Sequence, residues 1–294
     1  MKRTAFFLSI LLIVSMLSGC MQEAPPAQVA ATTLPVYEFT LRICDGTDIK
    51  VTRLVTESVS CLHDYSLNVR QVRAAEAAEV VVISGAGLED FMAELLDGKA
   101  TVDSSAGIGL LECTEGHEHD HSHDHGHTHE EDPHIWLSPA NAKVMAVNIC
   151  SGLSRQYPRH SDLFAANLKA LLADLDALQA YGETQLNDLS CREIITFHDG
   201  FAYFAEAFDL TILEAVEEEA GSEASAQELK ELITMVRDHS LPAVFTEING
   251  SPSAAEIISA STGAKIFALD MAMAGESYFD SMYRNIDTIK EALG

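Results

Sequence analysis

Between Ser161 and about Leu189 the chain carries its longest helical signal. Leucines at 163, 168, 171, 172, 175, 178 and 186 recur at helical spacing, with no proline or glycine before Gly182. At about 1.5 Å per residue such a helix is as long as a small domain is wide. The sequence on either side of it alternates between strand and helix signals. Gln28–Val36 and Ile49–Val55 read as short strands separated by a helical pattern over Tyr37–Cys44. Val69–Ala77 reads as helix, Glu79–Ser84 (EVVVIS) as a buried strand, Leu88–Leu96 as helix and Ala100–Asp103 as a weaker strand. Ser138-Pro139 then opens a helix reaching about Gln156, with proline in the first turn, where its missing N–H costs nothing. Beyond the long helix, strands at Glu193–Phe197, Ala243–Thr246 and Lys265–Leu269 alternate with helices at Gly200–Ala207, Ala226–His239 and Ser253–Thr262. Glu276–Gly294 closes the chain as an amphipathic helix. Such alternation predicts βαβ units. The expected fold class is α/β: two lobes of mostly parallel sheet flanked by helices (32–157 and 191–294), joined by one long rigid helix over 158–190, with a site in the cleft between them. A single doubly wound domain is the competing arrangement.

The N-terminus has a separate character. Lys2 and Arg3 precede the apolar stretch Ala5–Met16, which ends in Leu17-Ser18-Gly19-Cys20. A basic start, a short apolar core and small residues before a cleavage point describe a secretory signal over residues 1–19. The stretch is too short to span roughly 30 Å of hydrocarbon comfortably. Leu-Ser-Gly-Cys resembles a bacterial lipobox, which implies lipidation of Cys20 and leaves residues 20–31, with Pro25 and Pro26, as a tether. The expectation is a protein that is exported and lipid-anchored to the outer face of the cell membrane, or periplasmic. A net charge of -27 argues against nucleic acid as a partner, because phosphate binding needs a basic surface. Besides Cys20, Cys44, Cys61, Cys113, Cys150 and Cys191 remain, an odd number, and no CxxC pair suggests a zinc ribbon or a thioredoxin-type site. Cys61 and Cys113 are one conceivable bridge, but spacing does not define the pairing.

Single histidines occupy three strand-end or loop segments: His63 in LHDYS, His134 in DPHIWLSP and His198, followed by Asp199, in TFHDGF. Asp270 follows the apolar run KIFAL. Ligands of open α/β sheets bind beyond the carboxyl ends of strands. Imidazole and carboxylate donors spread over the chain would make a metal site only once the fold brings them together. Glu115–Asp132 adds seven alternating histidines (His117, His119, His121, His123, His125, His127 and His129) among acidic and small residues. This composition cannot bury a core and reads as an accessory metal-binding loop.

These segments resemble the zinc/manganese-type solute-binding lipoproteins of bacterial ABC importers, in which one long helix joins two lobes. The resemblance runs from Val29 to the C-terminus, through VAATTLPVYEF, LHDYSLNVRQVRAAEAAEVVVISGAGLEDF, EDPHIWLSPANAK, ITFHDGFAYFAEAFDL, AVFTEINGSPSAAEIISASTGAKIFALD and YRNIDTIKEAL in order. A His-rich acidic loop directly before DPHIW resembles the zinc-specific branch. The resemblance implies metal ligands at His63, His134, His198 and Asp270, with Glu247 as an alternative oxygen donor or supporting partner. It also implies a monomer that delivers Zn²⁺ to a membrane permease and its ATPase, with no reaction catalysed. The chain departs from the family's usual Asp-Pro-Leu at Asp270-Met271-Ala272, and has Cys61-Leu62 where Asp-Pro commonly precedes the first histidine.

Three imidazoles and one carboxylate suit zinc better than manganese, which prefers oxygen-rich sets. A manganese or other divalent-metal carrier, or a surface metal buffer or adhesin without a transport role, would carry the same residues. A zinc enzyme fits less well: there is no HExxH, and a fourth protein donor would close the coordination position that catalytic zinc keeps for water. Gly85-Ala86-Gly87 is not a dinucleotide fingerprint, since Asp90 stands at the third-glycine position.

Overall fold

The computed structural model describes residues 27–57, 62, 65–112, 131–216 and 224–294. Cys20, Cys61, His63, Cys113 and the histidines 117–129 lie outside these residues. Two four-stranded, wholly parallel sheets make up the architecture. The first contains β1 (Val29–Ala31), β2 (Val51–Arg53), β3 (Val80–Ile83) and β4 (Thr101–Asp103), in the order β2-β1-β3-β4. The second contains β5 (Glu193–Thr196), β6 (Thr211–Ala215), β7 (Ala243–Glu247) and β8 (Lys265–Leu269), in the order β6-β5-β7-β8. In each sheet the chain steps outward from the first strand in one direction and then returns to continue on its other side. The loops after β1 and β3, and after β5 and β7, therefore diverge at a topological switch point, where such sheets bind ligands.

The helices are α1 (Leu34–Ile43), α2 (Val69–Ala77), α3 (Ala93–Leu96), α4 (Pro139–Gln156), α5 (Ser161–Gln185), α6 (Ala202–Ala207), α7 (Ala226–Asp238), α8 (Ser253–Thr262) and α9 (Tyr278–Leu293). The strand expected over Gln28–Val36 stops at Ala31. Thr33 takes an extended N-cap conformation and Pro35 falls in the first turn of α1, so the apolar residues that follow belong to the helix. The helix expected over Leu88–Leu96 is a 3-10 turn (Asp90–Met92) followed by the single turn of α3. β6 was not anticipated: Thr-Ile-Leu-Glu-Ala is an edge strand, only partly buried, with neither a clean alternation nor a buried apolar run.

α5 is 25 residues long and follows directly from the 3-10 turn Pro158–His160. Its Gly182 is a packing position: a β-carbon there would come within 2.1 Å of the Phe208 ring. The helix ends at Gln185, short of the expected Leu189. Arg192 gathers the carbonyls beyond that end, donating to Leu186 and Asn187 through Nη2 (2.8 and 3.1 Å) and to Phe208 and Asp209 through Nη1 (3.2 and 3.0 Å). Acceptors left over at a helix C-terminus are thereby satisfied by a cation, the sign the helix dipole favours.

The largest apolar cluster does not respect the division into two sheets. It joins Val29, Val80 and Val82 of the first sheet with Phe39 of α1, Ile149 of α4, Leu171 and Leu178 of α5, Phe204 of α6, Phe245 of β7 and Ile286 of α9. Two smaller clusters lie on the outer faces, one under α2 and α3, the other under α7 and α8. The middle layer of helices is thus core to both sheets. Cys44 and Cys150 are buried free thiols within it, and burial next to Cys150 pushes the Cys44 thiol up to about 12.

Candidate metal centre

His198 leaves the second sheet at its switch point. Ile195 and Thr196 at the end of β5 are fully buried, and the chain then runs through Phe197 and His198 to Gly200 and α6. His134 comes from the other half of the molecule. It precedes a fully buried 3-10 turn, Ile135-Trp136-Leu137, and then Ser138, whose hydroxyl accepts from Asn141 N to cap α4. Of the positions singled out in the sequence, these two meet. Both residues are 2 % exposed, their Nε2 atoms are 3.5 Å apart, and the rings stand edge to face with centroids 5.2 Å apart.

Asp132 orients the pair. Its Oδ1 accepts the main-chain N–H of His134 at 2.8 Å and lies 2.8 Å from ring atom Nδ1. A neutral His134 that donates from Nδ1 presents a bare lone pair at Nε2, directed toward His198. Two nitrogens bound to one tetrahedral zinc at about 2.05 Å stand about 3.3 Å apart. The observed separation matches that geometry closely and is long for an N–H···N bond. Gly200 leaves room for it: a β-carbon there would lie 2.7 Å from Met271 Cε, 2.8 Å from His198 Cδ2 and 3.0 Å from His134 Nδ1. Asp132, Gly200 and Met271 were not assigned a role from sequence. An Asp-Pro-His tripeptide, with an acidic acceptor two residues before the imidazole, is the signal that could have found Asp132.

Asp270 directly follows β8 and precedes Met271. Its carboxylate is already engaged: Oδ1 accepts Ala272 N at 2.8 Å, Oδ2 accepts Ser281 Oγ at 2.8 Å, and Arg284 Nη2 stands 3.6 Å away. Asn285 grips the main chain of the same residue, accepting from Asp270 N at 2.8 Å and donating to its carbonyl at 2.7 Å. Glu247 ends β7 in register with Leu269, so the two carboxylates leave neighbouring strand ends, Glu247 buried and Asp270 half-buried. Among the described residues, no three His, Cys, Asp or Glu side chains converge as a metal cluster. Among the described residues the structure brings His134 and His198 together and does not gather Asp270 or Glu247 with them into one cluster, while His63 and the tract lie outside the described residues.

Hydrogen bonds sew the two halves together around this point. Trp136 Nε1 donates to Met271 O at 2.7 Å, and Tyr278 OH to Trp136 O at 2.8 Å. Tyr203 OH, on α6, donates to Asp132 O at 2.9 Å and accepts from Leu111 N at 2.9 Å. Arg53 Nη1 donates to Gly275 O at 2.8 Å, and Glu38 accepts from Tyr278 N at 2.6 Å at the start of α9. Burial, the dominant influence, holds the Glu38 carboxyl above its ordinary range.

Comparison with known proteins identifies the family. Residues 29–292 match the family model described as ZnuA, zinc-uptake complex component A, periplasmic. The chain is 30% identical over 280 residues to the high-affinity zinc uptake system protein ZnuA of Bacillus subtilis (strain 168), covering 90% of this chain and 87% of that protein. The crystal structure of a ZnuA superposes with TM-score 0.78 at 32% identity, covering 91% of this chain and all of that one. The Zn(II)-bound ZnuA-like domain of Streptococcus pneumoniae AdcA gives TM-score 0.75 at 25% identity, covering 91% and 99%. The chain is a member of the ZnuA family, the metal-binding, non-enzymatic solute-binding components of ABC uptake systems.

Proposed function

We propose that the protein captures Zn²⁺ outside the cytoplasmic membrane and delivers it to the permease and ATPase of an ABC importer. The observation that carries this reading is the buried His134–His198 pair, with Nε2 atoms 3.5 Å apart and one ring oriented by Asp132. Zinc is the cargo that best suits two imidazoles held this way. His63 supplies a third imidazole. Asp270 completes the shell through the lone pairs its present hydrogen bonds leave open, and Glu247 is the substitute oxygen donor. The histidines 117–129 gather the ion near His134, and Cys20 carries the lipid anchor. Residues 32–157 and 191–294 act as lobes on either side of the helical segment 158–190.

The deciding experiment is a competitive Zn²⁺/Mn²⁺ titration, read by elemental analysis and native mass, on the wild-type chain and on His134→Ala and His198→Ala. One tightly held zinc that manganese does not displace, lost in both variants, is the expected result. Tight zinc retained in either variant, or a preference for manganese, would overturn the assignment.

A further inference from the structure

Tyr203 belongs to α6, the helix that begins four residues after His198, and it is fully buried. Its hydroxyl makes two long-range bonds in the other half of the chain, donating to the carbonyl of Asp132 and accepting from the amide of Leu111. Asp132 N in turn donates to Leu111 O at 2.8 Å, and Glu112 pairs with Glu131 in an antiparallel bridge. One phenol therefore holds the two described segments that flank residues 113–130, among them Asp132, the residue that orients His134. The route from one imidazole to the other is continuous: His198, Gly200, α6, Tyr203, Asp132, His134. Only the hydroxyl makes these bonds, since the ring packs in the main core. A phenylalanine there would keep the packing and leave the Asp132 carbonyl and the Leu111 amide without this partner.

We propose that Tyr203 is a positioning residue for the metal centre, holding Asp132, and hence the His134 ring, in register with His198. The inference rests on the reading that His134 and His198 hold the cargo. Groups that orient a metal-binding imidazole typically change affinity by about 10–100-fold.

The test is Tyr203→Phe in the full chain, loaded with one equivalent of Zn²⁺ so that the tightest site fills first. Zinc release into excess chromophoric chelator gives the dissociation rate, and one equivalent of Co²⁺ gives a visible spectrum that reports coordination geometry. About tenfold faster release, together with an altered Co²⁺ spectrum, is expected. Tyr157→Phe removes a different long-range hydroxyl bond, to Glu79 Oε2 at 2.9 Å, outside this chain of contacts. It should lower the metal-free melting temperature while leaving release and spectrum unchanged. Wild-type release and spectrum in Tyr203→Phe would reduce the phenol to a stability contact and overturn the proposal. A readout that needs no variant is hydrogen exchange at the Leu111 amide in the wild-type chain. One equivalent of zinc should slow it, and unchanged exchange would also overturn the proposal. If His134→Ala and His198→Ala release zinc like wild type, the site assignment itself has failed. If they lose zinc while Tyr203→Phe does not, only the present inference falls.

Discussion

One carboxylate oxygen of Asp132 holds His134 twice, at 2.8 Å from its main-chain nitrogen and at 2.8 Å from its ring Nδ1. The first contact fixes where the residue sits and the second fixes how the ring is turned. Asp132→Ala removes both, and zinc affinity should fall by about 10–100-fold. Asp132→Asn keeps an oxygen acceptor and should fall between this variant and wild type. Chelator-competition titrations decide it, and an unchanged Kd in Asp132→Ala would contradict the orienting role.

Gly200→Ala tests the close approach of the two imidazoles. The methyl of Met271 can swing aside, but the rings of His198 and His134 cannot both yield to a new β-carbon without parting their Nε2 atoms. Zinc binding should weaken by about tenfold, equivalent to about 1.4 kcal/mol. Isothermal competition against a chelator of known affinity is the measurement, with metal-free circular dichroism checking that the fold is intact.

Glu89 lies at the switch point of the first sheet. Its carboxylate accepts Thr32 Oγ1 at 2.6 Å, Ser84 N at 2.8 Å and Gly85 N at 2.9 Å. Burial outweighs these donors and raises its pKa from 4.5 to about 7. The folded state therefore holds the proton more tightly than the unfolded chain does. The resulting stabilisation is fully present below pH 4.5 and is lost as pH rises to about 7, in total roughly 3 kcal/mol. Metal-free melting temperatures recorded from pH 4.5 to 7.5 should decline more steeply for wild type than for Glu89→Gln. Parallel profiles would show that Glu89 does not titrate in this window.

Arg192 spans the carbonyls of Leu186, Asn187, Phe208 and Asp209, joining the end of α5 to the turn after α6. Its contact with the exposed Asp209 carboxylate, at 3.6 Å, adds little. Arg192→Ala should cost about 2 kcal/mol, seen as a lower urea midpoint with an unchanged slope. Arg192→Lys should recover only part of this, because an ammonium cannot reach both carbonyl pairs with the geometry of the guanidinium fork. A midpoint within error of wild type for Arg192→Ala would show that the four bonds are replaced by water.

The shared core limits motion. Phe204, Phe245 and Ile286 from the second half pack in one apolar cluster with Val29, Phe39 and Val82 from the first, so a wide opening would bring much of it into water. X-ray scattering with and without one equivalent of Zn²⁺ should give superimposable profiles. A clear increase in radius in the metal-free protein would rule this out.

The elements most legible in the sequence were those defined by local pattern. The EVVVIS run marked β3, the leucine spacing marked α5, and Asn68 with Gln71 in a capping box starts α2 at Val69, where it was expected. His134 and His198 were legible because each stands alone in a distinctive segment. What escaped depends on neighbours distant in the chain. Tyr203 lies 92 residues from Leu111, and nothing local distinguishes it from another apolar-face residue of α6. The grip of Ser281 and Asn285 on Asp270 likewise reflects how α9 returns to the end of β8. β6 was missed because an edge strand needs burial on only part of its surface.

The continuous core also determines how this chain can be divided. Cutting it at α5 would give fragments that each carry a complete parallel sheet, yet each would expose the face that Leu171 and Leu178 cover in the intact protein. Neither fragment should behave as a soluble domain when expressed alone, whereas the two produced together have every reason to find each other. The His134–His198 pair would then report reassembly, since each fragment brings one of its two imidazoles.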